Sequence, residues 1–375
     1  AGLLCLGAGS LPAALGFGVA RGMGCVCHAL LSAFEWLCAM SLKLPFANWI
    51  VGRPKDWRIY AYGAVILFLY AAHHYGKHLS KGAACGRRGI DVGLPLPLRY
   101  MTVLAAILLI SSSPVDGVAM TFLDVGQGDC IWIGSAGGEY FLVDGGSTDR
   151  KKVGSQVLVP FLKSQGISKV DYGIVSHGDQ DHISGLMEIM EEDCGIEISH
   201  IVLPWLGQGG DDQIYEKIEQ AARNHGAQVA WMKRGDRIAE GSMKIDCLYA
   251  GEERQGQWPG SDDRNEHSLM LQVSYGQAGI LLTGDMSSKG ERKWLEKGET
   301  PRIQVLKAAH HGSSYSTQQD FLQRIKPWWA VISCGVGNRY GHPGEDTLKR
   351  LEKQGTKQYV TVDTGAVTVT TDGKS

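Results

Sequence analysis

Ser176-His177-Gly178-Asp179-Gln180-Asp181-His182 crowds two imidazoles and two carboxylates into a single short stretch. The residues before it, Val170–Val175 (VDYGIV), read as a short buried strand, and Ile183–Met190 (ISGLMEIM) after it reads as the start of a helix. The polar groups therefore lie in a tight strand-to-helix turn from which all four can face one point. Neutral imidazole and carboxylate are the ligand types that hold Zn²⁺ or Mn²⁺. His and Asp are common in polar loops, but the full pattern H-x-D-x-D-H directly after a strand is a far more specific signal.

The motif sits in the soluble-looking part of a divided chain. With 375 residues there is room for two domains and a large core. The formal net charge of −2 gives no global basic signature, so nucleic-acid binding does not follow from overall electrostatics. Nine cysteines are scattered without C-x-x-C spacing, which indicates neither a zinc ribbon nor a redox pair. Residues 1–120 are rich in Gly, Ala, Leu and Cys and poor in acids, whereas the remainder has ordinary soluble composition. The chain opens on Ala with no charged n-region and reads as a piece of a longer protein.

Four apolar stretches fill the first part: Leu3–Ala20, interrupted by Pro12; Gly22–Leu42, containing His28 and Glu35; Trp57–Ala72; and Leu98–Val118. A helix needs about 20 apolar residues to cross a bilayer, so these predict about four membrane-associated helices, with Trp and Tyr flanking the third at interfacial positions. Lys77, Lys81, Arg87, Arg88 and Arg99 lie between the third and fourth stretches, opposed only by Asp91. The positive-inside rule makes that loop cytoplasmic and places everything after Val118 outside the cytoplasm.

Around the central motif, further stations follow in order. Met120–Asp124 opens a strand that leads into Gly126-Gln127-Gly128-Asp129, and a later strand ends in Asp144-Gly145-Gly146. Gly154–Gln165 reads as a helix, and Asp212–His225 as another with Ile214, Ile218 and Ala221 on one face. Gly251–Glu266 is a long polar loop of the kind that commonly faces substrate. It passes through Asn265, His267 and Ser268 into a strand pair ending in Gly284-Asp285. Ile303–Ala308 is a strand ending at Ala309-His310-His311-Gly312-Ser313, and Tyr315–Ile325 a helix. Asn338-Arg339-Tyr340-Gly341-His342-Pro343 follows, and Lys357–Asp372 closes the chain as an expected hairpin turning near Thr364-Gly365.

The H-x-D-x-D-H loop resembles the signature H-x-H-x-D-H of the metallo-β-lactamase superfamily. With Asp at the third position, and with LDVGQGD, LVDGG, LLTGD, AAHHGSS and NRYGHP in order, residues 120–375 resemble the C-terminal domain of ComEC-type DNA-internalisation proteins, the bacterial competence channels. Residues 1–118 resemble more loosely the last transmembrane helices of the channel domain. The resemblance implies an α+β fold, the αββα sandwich, over 119–375, preceded by transmembrane helices. It implies metal ligands among His177, Asp179, Asp181, His182, Asp285 and either His310 or His311, with His310 favoured as nearer its strand. Asp124, Gln127, Asp129, Asp144, Asn265 and Ser268 are expected just behind the ligands. Asp181 and His342 are expected in catalysis, and Lys307 and Ser313 on substrate phosphates. One or two divalent ions, Mn²⁺ or Zn²⁺, are expected; Asp179 in place of a second His, with no convincing third His between 240 and 270, tilts the preference toward a harder ion such as Mn²⁺. The implied function is a membrane-tethered, extracytoplasmic phosphodiesterase, or nuclease, cutting incoming DNA during bacterial competence. Its implied partners are DNA, membrane lipid and other competence machinery proteins. The alternatives are a non-catalytic DNA guide and a cell-wall phosphodiesterase such as a choline esterase.

Overall fold

In the computed structural model, the described residues are 13–43, 50, 52–82, 100, 102–103, 117–205, 207, 212–251, 261–298 and 300–374. The chain divides into two compact units, one running to Ile50 and the other beginning at Val51.

Among its described residues, the first unit contains one long helix, α1 (Ala13–Ser41). The two expected segments on either side of Arg21 are therefore continuous from Ala13 onward, because nothing between Ala20 and Gly22 breaks the backbone hydrogen bonding. Gly22–Ser41 has a mean hydropathy of 1.5 and is long enough to cross a membrane, and none of it is buried. Leu30, Leu31, Phe34 and Leu37 all stand exposed on it.

The second unit begins with α2 (Asp56–Gly82). Its apolar run between Arg58 and His73 is too short to span about 30 Å of hydrocarbon, and among the described residues only Gly22–Ser41 has the length and hydropathy of a span. Residues 3–12 of the first expected segment, and most of the fourth, lie outside the described residues.

From β1 (Val118–Phe122) onward, two seven-stranded sheets are formed among the described residues. The first runs β14-β1-β2-β3-β4-β5-β6, built from β2 (Ile131–Ser135), β3 (Tyr140–Val143), β4 (Lys169–Ile174), β5 (Glu197–Pro204), β6 (Gln228–Met232) and β14 (Val367–Thr371). The second runs β13-β12-β11-β10-β9-β8-β7, from β7 (Arg237–Glu240), β8 (Met243–Tyr249), β9 (Met270–Tyr275), β10 (Ala278–Leu282), β11 (Val305–Lys307), β12 (Trp329–Ile332) and β13 (Lys357–Val360). Alternation along the strands explains the layering. In β8, Met243, Ile245 and Cys247 face a core shared with Met120, Phe122, Ile133 and Phe141 of the other sheet.

The outer faces are covered by helices. Leu142, Val170, Ile198 and Ile201 of the first sheet pack on α3 (Val159–Ser164), α4 (Gln180–Glu191) and α5 (Gln213–His225) through Leu162, Leu186, Ile189 and Ile218. Leu281, Leu306, Ala330 and Ile332 of the second pack on Trp294, Phe321, Leu322 and Leu351. These come from α6 (Ser288–Glu296), α7 (Gln319–Ile325) and α8 (Glu345–Gln354). This is the expected αββα sandwich.

Two local readings are corrected. The expected helix from Gly154 begins as a π-helical turn, Gly154–Leu158, before α3. The closing segment is not a hairpin: a single helical turn, Thr361–Thr364, separates β13 from β14. β13 then pairs with β12 in one sheet and β14 with β1 in the other. Strand β14 thereby caps the edge beside β1.

Parallel pairing runs through β3-β4-β5-β6 and β10-β11-β12-β13. The loops leaving the carboxyl ends of β3, β4, β10, β11 and β12 carry the polar motifs. That is the end of a parallel sheet where binding sites collect.

Candidate metal centre

The loop after β3 supports the loop after β4. Asp144 takes a left-handed backbone, with φ 57°, and its carboxylate is fully used. Oδ1 accepts from Ser176 N at 2.7 Å, and Oδ2 accepts from Ser176 Oγ at 2.7 Å and lies 2.9 Å from His182 Nδ1. Two glycines let the neighbouring loops approach. A Cβ on Gly146 would come 2.5 Å from His182 N, and one on Gly128 would come 2.6 Å from Asp181 O. The opening G-Q-G-D and D-G-G motifs thus lie directly beneath the metal loop.

His182 and His311 are both buried, and each has one ring nitrogen fixed from behind. His182 Nδ1 is held by Asp144, and His311 Nδ1 lies 3.0 Å from the Ser333 carbonyl. Their Nε2 atoms have no hydrogen-bond partner. His182 Nε2 lies 3.2 Å from Asp285 Oδ1, and His311 Nε2 lies 3.4 Å from Asp285 Oδ2 and 3.3 Å from Asp181 Oδ2. One ligand atom from each of Asp129, His182, Asp285 and His311 falls within 4.8 Å of all the others, and all four residues are buried. Fixing the rear nitrogen so that the front one points at a shared carboxylate is the arrangement that orients metal-ligating histidines. Orphaned buried nitrogens and carboxylates aimed at one point fit a divalent cation.

The electrostatics agree. Burial opposes charge on His182, but Asp285 and Asp144 outweigh it and hold the ring well above its ordinary value. Burial likewise opposes charge on His311, yet Asp285 and Asp129 bring it up to about 9. Burial would raise the Asp285 carboxyl, and His311 and His182 hold it well below the carboxylate range. A pocket that draws protons onto two imidazoles this strongly draws any cation. Asp181, which burial would also raise, is brought down to about 2 by His311 and His182.

The other predicted residues fall as follows. His177 is buried with an orphaned Nε2 lying 3.6 Å from Asp179 Oδ2, and its Nδ1 is 3.1 Å from Ser176 Oγ and 3.4 Å from Ser268 Oγ. Asp179 is half-buried at the start of α4. Of the two adjacent histidines it is His311, not the favoured His310, that enters the cluster. Both take left-handed backbones (φ 50° and 53°), and the turn leaves His310 partly exposed, with Nε2 3.8 Å from Asp285. Asp129, expected behind the ligands, is in the converging group and is paired with Lys307.

Lys307 is wholly buried and also donates to Gly284 O at 3.1 Å, so its ammonium is turned inward, away from any substrate phosphate. Ser313 is buried as well, its Oγ accepting from Tyr315 N at 3.3 Å. Ser268 Oγ accepts from Asp285 N at 3.0 Å. Asp124 accepts from Gly126 N, and Gln127 accepts from Gly335 N. Asn265 is half-buried with its Oδ1 orphaned. The ring of His267 packs on Gly251, where a Cβ would meet its Nδ1 at 2.0 Å, and takes no part in the cluster. His342 lies half-buried at the mouth, its ring 5.5 Å from that of His310 and stacked on Tyr340 at 5.6 Å. Burial, then His310 and His311, hold it down to about 4, so it is neutral at pH 7.

Sequence reasoning missed Arg264, whose guanidinium joins Asp179 to Asp212, and the Ser333 carbonyl behind His311. A backbone acceptor has no sequence signature. Arg264 was one cation in a long polar loop with nothing to mark its partners.

A cavity of about 580 Å³ is lined by Arg150, Lys151, Gln180, Asn338, Arg339 and Tyr340 among others, and none of the four converging residues lines it. Gln180 lies between the two aspartates of the motif. Arg339 stacks over the Tyr340 ring at 4.8 Å.

A model of the Metallo-beta-lactamase superfamily matches residues 123–335, and the chain belongs to that superfamily. Among curated proteins it is similar to ComE operon protein 3 of Bacillus subtilis (strain 168), with 32% identity over 65% of this chain and 32% of the relative. It is similar to Competence protein ComA of Neisseria gonorrhoeae, with 28% identity over 73% of this chain and 38% of that one. Recombination protein 2 of Haemophilus influenzae is 25% identical over 90% of this chain and 37% of its own length. The resemblance to competence proteins is thus established, and the chain spans about a third of the length of these relatives.

Proposed function

We propose that residues 119–375 form a metal-dependent phosphodiesterase that cuts DNA during uptake. One observation carries this reading: the Nε2 atoms of His182 and His311 converge on Asp285, with each ring locked from behind. His182, His311, Asp285 and Asp181 would hold a divalent ion. When bound, the ion supplies Lewis-acid polarisation of a phosphoryl oxygen and activates water for attack.

The chain's own residues do the rest. Asp144 and the Ser333 carbonyl keep the two rings oriented. Asp181, ionised throughout the working range, suits holding a cation or orienting a water better than removing a proton at neutral pH. His342, neutral with an orphaned Nδ1, is placed to hydrogen-bond substrate at the mouth. The oxygen-rich donor set favours a hard ion such as Mn²⁺ and suits phosphate esters. Full-length chain supplied with Mn²⁺ is expected to cleave single-stranded DNA, and His182→Ala to lose that cleavage. Folded, metal-loaded protein that leaves DNA intact would favour the non-catalytic guide; cleavage of choline esters instead of DNA would favour the wall enzyme.

The cavity lined by Gln180 is proposed as the strand's path, with Arg150, Lys151 and Arg339 on phosphates and Tyr340 under a base. Stacking contributes about 1–3 kcal/mol per base. Arg339→Ala with Tyr340→Ala is therefore expected to weaken oligonucleotide binding by at least about 5- to 160-fold, and to flatten its salt dependence by about 0.7 in log–log slope for the one lost cation. Fluorescence anisotropy at several salt concentrations measures both. Cleavage of a small aryl phosphodiester should survive, because it needs neither contact.

Localisation is proposed from α1 and from the basic segment before Val118: a multi-pass protein of the bacterial cell membrane with the hydrolase domain outside the cytoplasm. Cys130, Cys247 and Cys334 are buried and their thiols pushed up, Cys247 to about 12 and Cys334 to about 11. That leaves the partly exposed Cys194 as the outside reporter. In single-cysteine variants, an impermeant thiol reagent is expected to label Cys194 in intact cells and Cys85 only after permeabilisation. The reverse pattern would invert the topology.

A further inference from the structure

The two ends of the H-x-D-x-D-H loop are not equivalent. At the Asp181–His182 end, two imidazole nitrogens without hydrogen-bond partners face Asp285 and Asp181, and the nearby Lys307 is paired with Asp129 and lies 3.8 Å from Asp285. At the His177–Asp179 end, Asp179 already has a cation. Arg264 Nη1 donates to Asp179 Oδ1 at 3.2 Å, while its Nε and Nη2 donate to the two oxygens of Asp212 at 2.9 and 3.1 Å. The arginine side chain is only 19% exposed and that of Asp212 only 7%. A two-point grip on a planar guanidinium fixes its direction as well as its position, and an arginine cannot shed its charge to make way.

The same end is short of donors. Ser268 turns a hydroxyl toward His177 Nδ1 at 3.4 Å, and His267, the one imidazole nearby in sequence, packs on Gly251 instead. What remains is a single imidazole nitrogen and a carboxylate with one oxygen already held by Arg264, fewer protein ligands than a closed or catalytic metal site uses.

We infer that the guanidinium of Arg264 takes the place of a second metal ion. On this view the protein holds one divalent ion, between Asp181, His182, Asp285 and His311, and a fixed guanidinium at the His177–Asp179 end. This rests on the metal-dependent reading above and deepens it. Among the described residues, three of the five guanidinium N–H donors are engaged. The other two are left for an oxygen of the substrate phosphate, so that phosphate would be gripped by an ion on one side and an arginine on the other.

Metal counting tests the inference without reference to turnover. Full-length chain is stripped with chelator, equilibrated with Mn²⁺ and analysed for manganese per chain and by electron paramagnetic resonance. Wild type is expected to hold one ion per chain with the six-line signal of isolated Mn²⁺. Arg264→Met frees Asp179 and is expected to raise the content about twofold, with the spin-coupled signal of an ion pair. Arg264→Gln removes the charge but keeps an amide that can donate to Asp212, and should move the count the same way, which keeps the test open if Arg264→Met does not fold. Two coupled ions in wild type would overturn the inference and leave the metal reading standing. So would a count of one in well-folded Arg264→Met. No manganese in any variant would overturn both.

Discussion

Asp285→Asn is expected to empty the metal centre and lower DNA cleavage by at least about 100-fold, the scale on which losing a key electrostatic group acts, while leaving the fold intact. Asp285 is the carboxylate that both converging imidazoles face, at 3.2 Å from His182 and 3.4 Å from His311. Asparagine keeps the size and one acceptor oxygen but removes the charge that attracts a cation into a buried pocket. Asp144→Asn makes a graded comparison. Of the converging residues it touches only His182, at the rear nitrogen, its other contacts being Ser176 N and Oγ, so it should weaken metal affinity by about 10- to 100-fold rather than abolish it. Elemental analysis gives the first result, titration with Mn²⁺ the second, and circular dichroism checks the fold in both. Wild-type metal content in Asp285→Asn would refute the assigned centre.

The fold and the broad place of the site were legible because their signals are local. A strand, a turn dense in ligand types and a helix need only hydrophobic period and side-chain chemistry to be recognised, and the order of later motifs then set the sandwich. Gly146 sits where backbone packs against backbone and leaves no room for a side chain, which the D-G-G stretch by itself does not announce. Finer distinctions depended on direction, which sequence does not carry. His310 and His311 are adjacent and chemically identical. Only the left-handed turn through both decides that His311 points inward to Ser333 and Asp285. The closing strands alternate as a hairpin would, yet Thr361–Thr364 coils into a helical turn and sends β14 to the other sheet. Lys307 ends a strand beside the site, where a phosphate contact was the natural reading. Its burial depends on Asp129, which is far away in sequence. Arg264 was invisible for a similar reason, since both of its carboxylate partners come from other loops. The apolar character of the first part is legible in composition, and among the described residues Gly22–Ser41 of α1 has the length and hydropathy of a span.

Lys307→Met is expected to give the largest loss of stability of any single change proposed for this domain, about 3–5 kcal/mol. Lys307 and Asp129 form an ion pair with side chains 1% and 0% exposed. Burial opposes charge on Lys307, but Asp129 and then Asp285 outweigh it and keep the ammonium protonated. Removing the ammonium leaves Asp129 charged, buried and short of a partner beside Asp144 and Asp285, which is the costly outcome. For a domain of this size each kcal/mol shifts Tm by about 2–4 °C, so the fall should be about 6–20 °C. Asp129→Asn alone should also destabilise, by stranding the lysine. The double variant Lys307→Met with Asp129→Asn should recover much of the loss, because no unpaired charge remains and buried pairs replaced together are often nearly neutral. A substrate-binding lysine at the surface behaves differently: its loss would raise KM and leave Tm within a degree or two. Thermal unfolding of the three variants beside their KM values therefore separates the two roles. An unchanged Tm in Lys307→Met with weakened DNA binding would return this residue to the phosphate contact that its position in the sequence suggested.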